Sequence, residues 1–305
     1  MKKNILVAPV LKWVGGKRQL IEDISPLIPK QISTYVEPFV GGAAILFHLQ
    51  PKKAIINDFN DELMNVYQVI KENPNGLIKI LEKHKEANSE EYYYETRALD
   101  RTADYENLSK EEKAGRILYL NKTCYNGLFR VNSSGQFNAP YGKYKNPAIV
   151  NDVTIKAVSN YFNSANIKFL NGDYKEALKG LRKGTFVYFD PPYMPVSSSS
   201  NFTGYTENGF GYEKQVELRD ECLKLNKRGI KFLQSNSYTP EILELYSDSS
   251  VFTIKVVQAK RSINSKSDKR GEISEVLIYN YEQEWVMEKL NVSDAWQKLI
   301  DGSVK

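Results

Sequence analysis

Ser33-Thr34-Tyr35-Val36-Glu37-Pro38-Phe39-Val40-Gly41-Gly42-Ala43-Ala44-Ile45-Leu46-Phe47 reads as a strand, a tight turn and a helix. The opening residues are β-branched or aromatic, Gly41-Gly42 supplies the turn, and small and apolar residues follow. The same order then repeats. Ala54-Ile55-Ile56 is apolar and closes on Asn57-Asp58-Phe59-Asn60, after which Leu63, Val66, Tyr67 and Ile70 keep helical spacing. Two successive strand–helix units predict a parallel sheet whose ligand lies beyond the carboxyl ends of its strands.

Working outward, Leu11-Lys12-Trp13-Val14-Gly15-Gly16-Lys17-Arg18 reads as a glycine-hinged loop leading into a helix that runs toward Ile28. Further strands are expected at 167–170, 186–189, 230–233, 251–257 and 274–279, with helices at 213–227 and 240–246. Between these two groups the composition changes. Residues 82–113 hold ten acidic against six basic residues on helical spacing, the pattern of helices with a solvated face. From Arg116 to Asn146 there is no acidic residue, and six aromatics from Tyr119 to Tyr144 are interleaved with Arg116, Lys122, Arg130, Lys143 and Lys145. The expected architecture is a mixed, mainly parallel α/β sheet assembled from 1–62 and 160–283, interrupted by a mostly helical module at 63–159. Residues 197–200 and 260–270, rich in serine and in Lys, Arg and Ser respectively, read as loops, and 284–305 as an extension past the last strand.

Composition narrows the chemistry. The 305 residues are 41% hydrophobic and 26% charged, the balance of a globular chain, and no apolar run approaches the roughly 18 residues of a membrane helix. The amino terminus has no signal-peptide pattern, so the sequence is read as that of a cytoplasmic protein. Cys124 and Cys222 stand far apart, as do His48 and His84, which leaves no disulfide framework, no Cys-x-x-Cys clip and no common zinc site. No metal is expected. A net charge of +5 permits a polyanionic partner, and the acid-free stretch is where such a partner would sit.

Asp190-Pro191-Pro192-Tyr193 follows an apolar strand and so stands where an α/β sheet presents its ligands. Proline fixes φ and removes the amide donor, which leaves carbonyls in a rigid turn behind an acid and ahead of an aromatic ring. Such a cluster suits a planar amine. Asp190 and the Pro191 carbonyl can accept both amine hydrogens while Tyr193 stacks on the ring. Gly41 lets backbone approach a ligand closely, although the Gly-x-Gly-x-x-Gly dinucleotide pattern is absent. Gly16-Lys17 is no phosphate loop, because Leu11 stands where its first glycine belongs and Arg18 where Ser or Thr belongs. Asp58, at a strand end, suits ribose hydroxyls or the cap of the next helix; Asp173 suits a ligand or a turn.

Collinear with these pieces, the chain resembles the DNA adenine amino-methyltransferases of the Dam and Dpn type. The resemblance runs through Lys12-Trp13-Val14-Gly15-Gly16-Lys17, Glu37-Pro38-Phe39-Val40-Gly41-Gly42 and Asn57-Asp58. It continues through Tyr125-Asn126-Gly127-Leu128-Phe129-Arg130, Phe137-Asn138-Ala139-Pro140-Tyr141-Gly142, Gly172-Asp173 and Asp190 to Tyr193. It implies S-adenosylmethionine as methyl donor, double-stranded DNA as partner and GATC as target. By position it implies a donor site from Trp13, Lys17, Glu37, Pro38, Phe39, Gly41, Asp58, Asp173 and Asp190, with the lysine near the donor's carboxylate. It also implies a DNA-reading module with a β-hairpin at 63–159. There Arg130 and Leu128 resemble base readers, Pro140 a contact to the thymine methyl, Tyr125 an intercalating ring and Lys12 a further guanine contact. Asn126 belongs to the same DNA-binding set, and Lys143 and Lys145 suit phosphates. A restriction endonuclease is an implied companion.

Other classes fit less well. Cytosine amino-methylation could use the same turn, but the Arg130 segment favours adenine. Carbon methylation of cytosine needs a cysteine nucleophile, usually after proline, and neither Cys124 nor Cys222 follows one. No proline precedes an aspartate, as the usual nuclease metal motif requires. A non-catalytic DNA-binding regulator would explain the basic stretch and leave Trp13, Lys17 and Asp58 without a purpose.

Overall fold

All side chains of β1 (Thr34–Glu37) and of β4 (Thr185–Phe189) are buried, as expected of strands covered on both faces. A computed structural model describes residues 3–13, 15–196, 210–260 and 272–282. Among these residues the sheet has seven strands in the order β3-β2-β1-β4-β5-β7-β6, with β2 Lys53–Asp58, β3 Asn166–Asn171, β5 Lys231–Ser237, β6 Thr253–Lys260 and β7 Glu272–Tyr279. The first five are parallel; β7 runs antiparallel between β5 and β6. The fold is thus the mixed, mainly parallel, Rossmann-like α/β sheet that the two strand–helix units predict.

Side-chain alternation splits the core into two layers. Tyr35, Phe186, Tyr188 and Leu233 enter one apolar layer, and Val36, Val187, Phe189 and Phe232 the other. The sheet reverses its winding between β1 and β4, because β2 and β3 build outward on one side and β5 on the other. That switch point opens a crevice at the strands' carboxyl ends.

The helices begin where the sequence offers caps. Ala44–Leu49 forms α2, after the short α1 (Ile21–Ile24). Asn60 starts α3 (Asp61–Glu72) by accepting from Leu63 N, and Asn73 with Pro74 starts α4 (Pro74–Ala87). Next come α5 (Glu90–Ala98), α6 (Asp104–Asn107) and α7 (Lys110–Thr123), the last opened by a reciprocal Ser109–Glu112 capping box. α8 (Asp152–Ser164) returns the chain to β3, while α9 (Tyr212–Lys227) and α10 (Pro240–Leu245) belong to the second half. α3 packs against α7, α8 and β3, so the module is seated on one edge of the sheet.

Three expectations change. The helix expected from Lys17 toward Ile28 is broken into a 3-10 turn, one turn of α-helix and a second 3-10 turn at Ser25–Leu27. Pro26 lacks the amide donor that a continuous helix requires. β5 continues to Ser237 because Gln234-Ser235-Asn236-Ser237, polar by composition, is buried at the crevice. Arg116, counted with the basic stretch, is 1% exposed and pairs with Asp100 and Glu62 inside the module. Residues 197–200, 261–270 and 284–305 lie outside the described residues.

Candidate active site

Asp190 follows β4 at the switch point, and two side chains from other elements converge on it. Lys17, buried at 6% exposure, brings Nζ to 2.8 Å from Asp190 Oδ1 and to 4.5 Å from the centre of the Tyr193 ring. The same Nζ donates to the Gly15 carbonyl at 2.5 Å. From β5, Ser235 Oγ donates to Asp190 Oδ1 at 3.1 Å. Burial raises the Asp190 carboxyl above its ordinary value, while the Lys17 ammonium and the Ser235 hydroxyl pull it back down.

The turn itself is fixed by polar groups that composition alone did not single out. Gln215 Nε2 donates to the Pro192 carbonyl at 2.8 Å and its Oε1 accepts from Asn236 Nδ2 at 3.0 Å. Asn236 Oδ1 accepts from Met194 N at 3.2 Å, and Ser237 Oγ donates to Met194 O at 2.6 Å. Tyr193 OH donates to Glu275 Oε2 at 2.8 Å across from β7. The available signal was four consecutive polar residues, Gln234 to Ser237, continuing a buried strand.

The adjoining half of the crevice is built by β1 and β2. Asp58 Oδ2 accepts from Gly41 N at 2.9 Å and Oδ1 from Asn60 N at 3.0 Å. It therefore clips the glycine turn rather than capping α3, whose cap is Asn60. Two bonds leave this half-buried carboxylate further acceptor capacity. Gly41 sits at φ +45, and a Cβ there would meet Trp13 Cδ1 at 3.0 Å, so only bare backbone fits beneath the indole. Glu37 is buried and accepts from Tyr35 OH at 2.9 Å; burial holds its carboxyl well above the ordinary range. Pro38 O and Gly172 O both accept from Asn57 Nδ2, which ties the ends of β1 and β3 together. Phe39 stacks on Tyr174 at 5.1 Å. Asp173 is exposed and caps the short turn Tyr174–Leu178 through Lys175 N at 2.8 Å.

The basic, aromatic stretch reaches the same crevice through its hairpin. Antiparallel bridges pair Cys124 with Tyr141 and Val131 with Phe137, around a turn at 132–136. Asn121 Oδ1 accepts from Lys12 N and its Nδ2 donates to Lys12 O, both at 2.8 Å, while Trp13 stacks on Phe129 at 4.6 Å. Lys12 and Trp13 are thereby joined to the segment from Asn121 to Phe129, although more than a hundred residues separate the two stretches in sequence. Tyr125 is 53% exposed, and Asn126 adopts φ +58 with its N–H donating to Tyr144 OH. Arg130, Pro140, Lys143 and Lys145 are exposed, Lys143 lying 3.7 Å from Glu90.

Comparison with known proteins meets this geometry from the other side. Residues 13–263 match the family described as D12 class N6 adenine-specific DNA methyltransferase. The chain is 47% identical over 280 residues to the Type II methyltransferase M1.LlaDCHI of Lactococcus lactis subsp. cremoris, covering 92% of this chain and 98% of that protein. It is 42% identical over 293 residues to the Type II methyltransferase M.MjaIII of Methanocaldococcus jannaschii, covering 90% and 99%. It is 33% identical over 285 residues to the DNA adenine methylase of Escherichia coli K12, covering 91% and 95%. Matches of this length, over a sheet that carries an acid and a rigid aromatic turn at its switch point, leave one conclusion: the chain belongs to the D12 class N6 adenine-specific DNA methyltransferases.

Proposed function

We propose that the methyl group comes from S-adenosylmethionine and that the adenine lies in GATC within double-stranded DNA. The observation that carries this reading is that three residues of one segment reach three parts of the site: Trp13 lies against Gly41 and stacks on Phe129, Lys12 is hydrogen-bonded to Asn121, and Lys17 pairs with Asp190. The division of labour assigns 1–62 and 160–283 to the donor and the chemistry, and 63–159 to the DNA.

The crevice fits such a donor. The Trp13 indole packs on the bare backbone of Gly41 at the strand end, and Asp58 keeps acceptor capacity for ribose hydroxyls. When bound, S-adenosylmethionine supplies an electrophilic methyl group on a sulfonium. Lys17, Glu37, Pro38, Phe39 and Asp173 complete the donor assignment, the last with a cap to serve as well.

Adenine's exocyclic nitrogen is a poor nucleophile because its lone pair is delocalised into the ring. Asp190 and the Pro191 carbonyl accept its two hydrogens, which orients the nitrogen lone pair toward the methyl group, and Tyr193 stacks on the base. Glu275 holds the Tyr193 ring by its hydroxyl. Lys17 favours the ionised, accepting form of Asp190. The base reaches this pocket only after leaving the duplex, at a cost on the order of a few kcal/mol that protein–DNA contacts offset. Arg130, Leu128 and Lys12 are assigned to base edges, Pro140 to the thymine methyl, Tyr125 and Asn126 to the gap left by the base, and Lys143 and Lys145 to phosphates.

Two relatives carry the name Type II methyltransferase, which supports a cognate restriction endonuclease, and a DNA substrate, chromosomal or phage, supports a cytoplasmic enzyme. Sequencing modified adenines in DNA from cells expressing the chain tests the target directly. Methylation confined to a motif other than GATC would reject it. Calorimetric titration with S-adenosylmethionine tests the donor.

A further inference from the structure

The hairpin is tied across at separate points, Tyr125 N to Pro140 O, Asn138 N to Arg130 O and Asn132 N to Gln136 O, and its isolated bridges do not amount to a regular ladder. A second set of bonds reaches it from the helices. Asp100, in the 3-10 turn Leu99–Arg101, has a carboxylate 11% exposed that meets Arg116 Nη2 at 2.8 Å and Arg101 Nη1 at 2.5 Å and accepts from the Phe137 amide at 2.7 Å. Arg101 Nη2 donates to the Phe137 carbonyl at 2.7 Å. Both backbone groups of one hairpin residue are thus gripped by two adjacent side chains. Two residues on, the Ala139 carbonyl accepts from Tyr93 OH at 2.8 Å and from Arg97 Nη1 at 3.2 Å.

Between these grips stands Asn138, and Asn138 holds Arg130. The Arg130 Nε donates to Asn138 Oδ1 at 2.6 Å, Nη2 donates to Asn138 O at 3.0 Å, and the Asn138 amide donates to Arg130 O at 2.9 Å. A guanidinium has five N–H donors, so two bonds to Asn138 set the plane of the fork and leave donors for a base edge. The buried Arg116 anchors the far end through Thr96 O at 2.9 Å and Arg97 O at 2.8 Å. The bonds that buried Arg116 makes to Asp100 and to the Thr96 carbonyl are charge-assisted and shielded from water, so this end of the path is strong and directional.

We propose that Asp100 and Arg101 are positioning residues for target recognition, holding Phe137 so that Asn138 presents the Arg130 guanidinium to the DNA. The inference rests on Arg130 being a base reader. A displacement of about 1 Å in a supporting group is enough to spoil a site of this kind.

The test uses the full chain and compares the parent with Asp100→Asn, Arg101→Ala, Arg130→Ala and the double variant Arg101→Ala/Arg130→Ala. Methylation rates are measured on GATC and on each single-substituted site, alongside donor affinity and thermal stability. Arg101→Ala leaves the buried Asp100–Arg116 pair intact, so it decides the matter if Asp100→Asn fails to fold. The expected result is that Arg101→Ala and Asp100→Asn each lower discrimination at the base pair Arg130 reads by about tenfold, with donor affinity unchanged. The double variant should be no less discriminating than Arg130→Ala alone. If Arg130→Ala lowers discrimination while Arg101→Ala slows every site by the same factor, the clamp is merely structural and the inference is overturned, although the base-reading role stands. Additive losses in the double variant overturn it too. Unchanged discrimination in Arg130→Ala removes the base-reading role and this inference with it.

Discussion

The Lys17 ammonium lies against the Asp190 carboxylate at 2.8 Å and over the Tyr193 ring at 4.5 Å, the two features assigned to the amine and the ring of adenine. A buried cation therefore favours the ionised form of a carboxyl that burial pushes toward protonation.

That relationship predicts a pH effect. Burial raises the Asp190 carboxyl and Lys17 lowers it, so activity that needs the ionised form falls as pH drops through this pKa. Removing the ammonium favours the protonated acid and raises the pKa further. Lys17→Met should shift the acid limb of single-turnover methylation, measured at saturating donor, to higher pH. A limb that stays in place would exclude the coupling.

Asp190→Ala should abolish methyl transfer while DNA binding survives, since it removes an acceptor and leaves the hairpin intact. Tyr193→Ala should cost about 1 to 3 kcal/mol in lost stacking. Tyr193→Phe, which keeps the ring and loses only the bond to Glu275, should be milder still. Equal losses for both tyrosine variants would contradict stacking as the main role.

Asp58 and Asn60 separate ligand binding from capping. Asp58→Ala removes the acceptor of the Gly41 amide and should weaken donor binding by calorimetry before it alters DNA affinity. Asn60→Ala removes the cap of α3 and should lower stability by about 1 kcal/mol with little change in donor affinity. The reverse pattern would undo the assignment of Asp58 to the donor.

Lys143 and Lys145 should act without regard to sequence. Replacing either by alanine should weaken all DNA sequences alike and reduce the salt slope by about one unit. Lys143 is 3.7 Å from Glu90 on an exposed surface, a pairing worth little that phosphate can displace. A change confined to one base pair in a Lys143→Ala methylation panel would make that lysine a reader.

The positions of the strands along the chain and the mainly parallel character of the sheet were legible in the sequence, because apolar runs that close on acids such as Glu37, Asp58 and Asp190 report buried strands, whereas their order across the sheet is a tertiary fact. Burial on both faces also hid part of β5: Ser235 and Asn236 are polar, and their strand pairing is dictated by β7 and by hydrogen bonds to the Asp190 turn. The charge of the acid-free stretch grouped Arg116 with the exposed basic residues, because its acidic partners Glu62 and Asp100 are distant in sequence and meet it only across packed helices. The spacing allows Asp58 either a ribose or the cap of the next helix; the structure gives the cap to Asn60 and the Gly41 amide to Asp58. By itself, then, the sequence determined the α/β class of the sheet, the rigid Asp190 turn at a strand end and the family, since these rest on local periodicity and contiguous motifs. Only the tertiary structure decided that Lys17 faces Asp190, that Lys12 pairs with Asn121 and that Asp100 grips Phe137, because such pairings depend on distance through space, which no local pattern encodes.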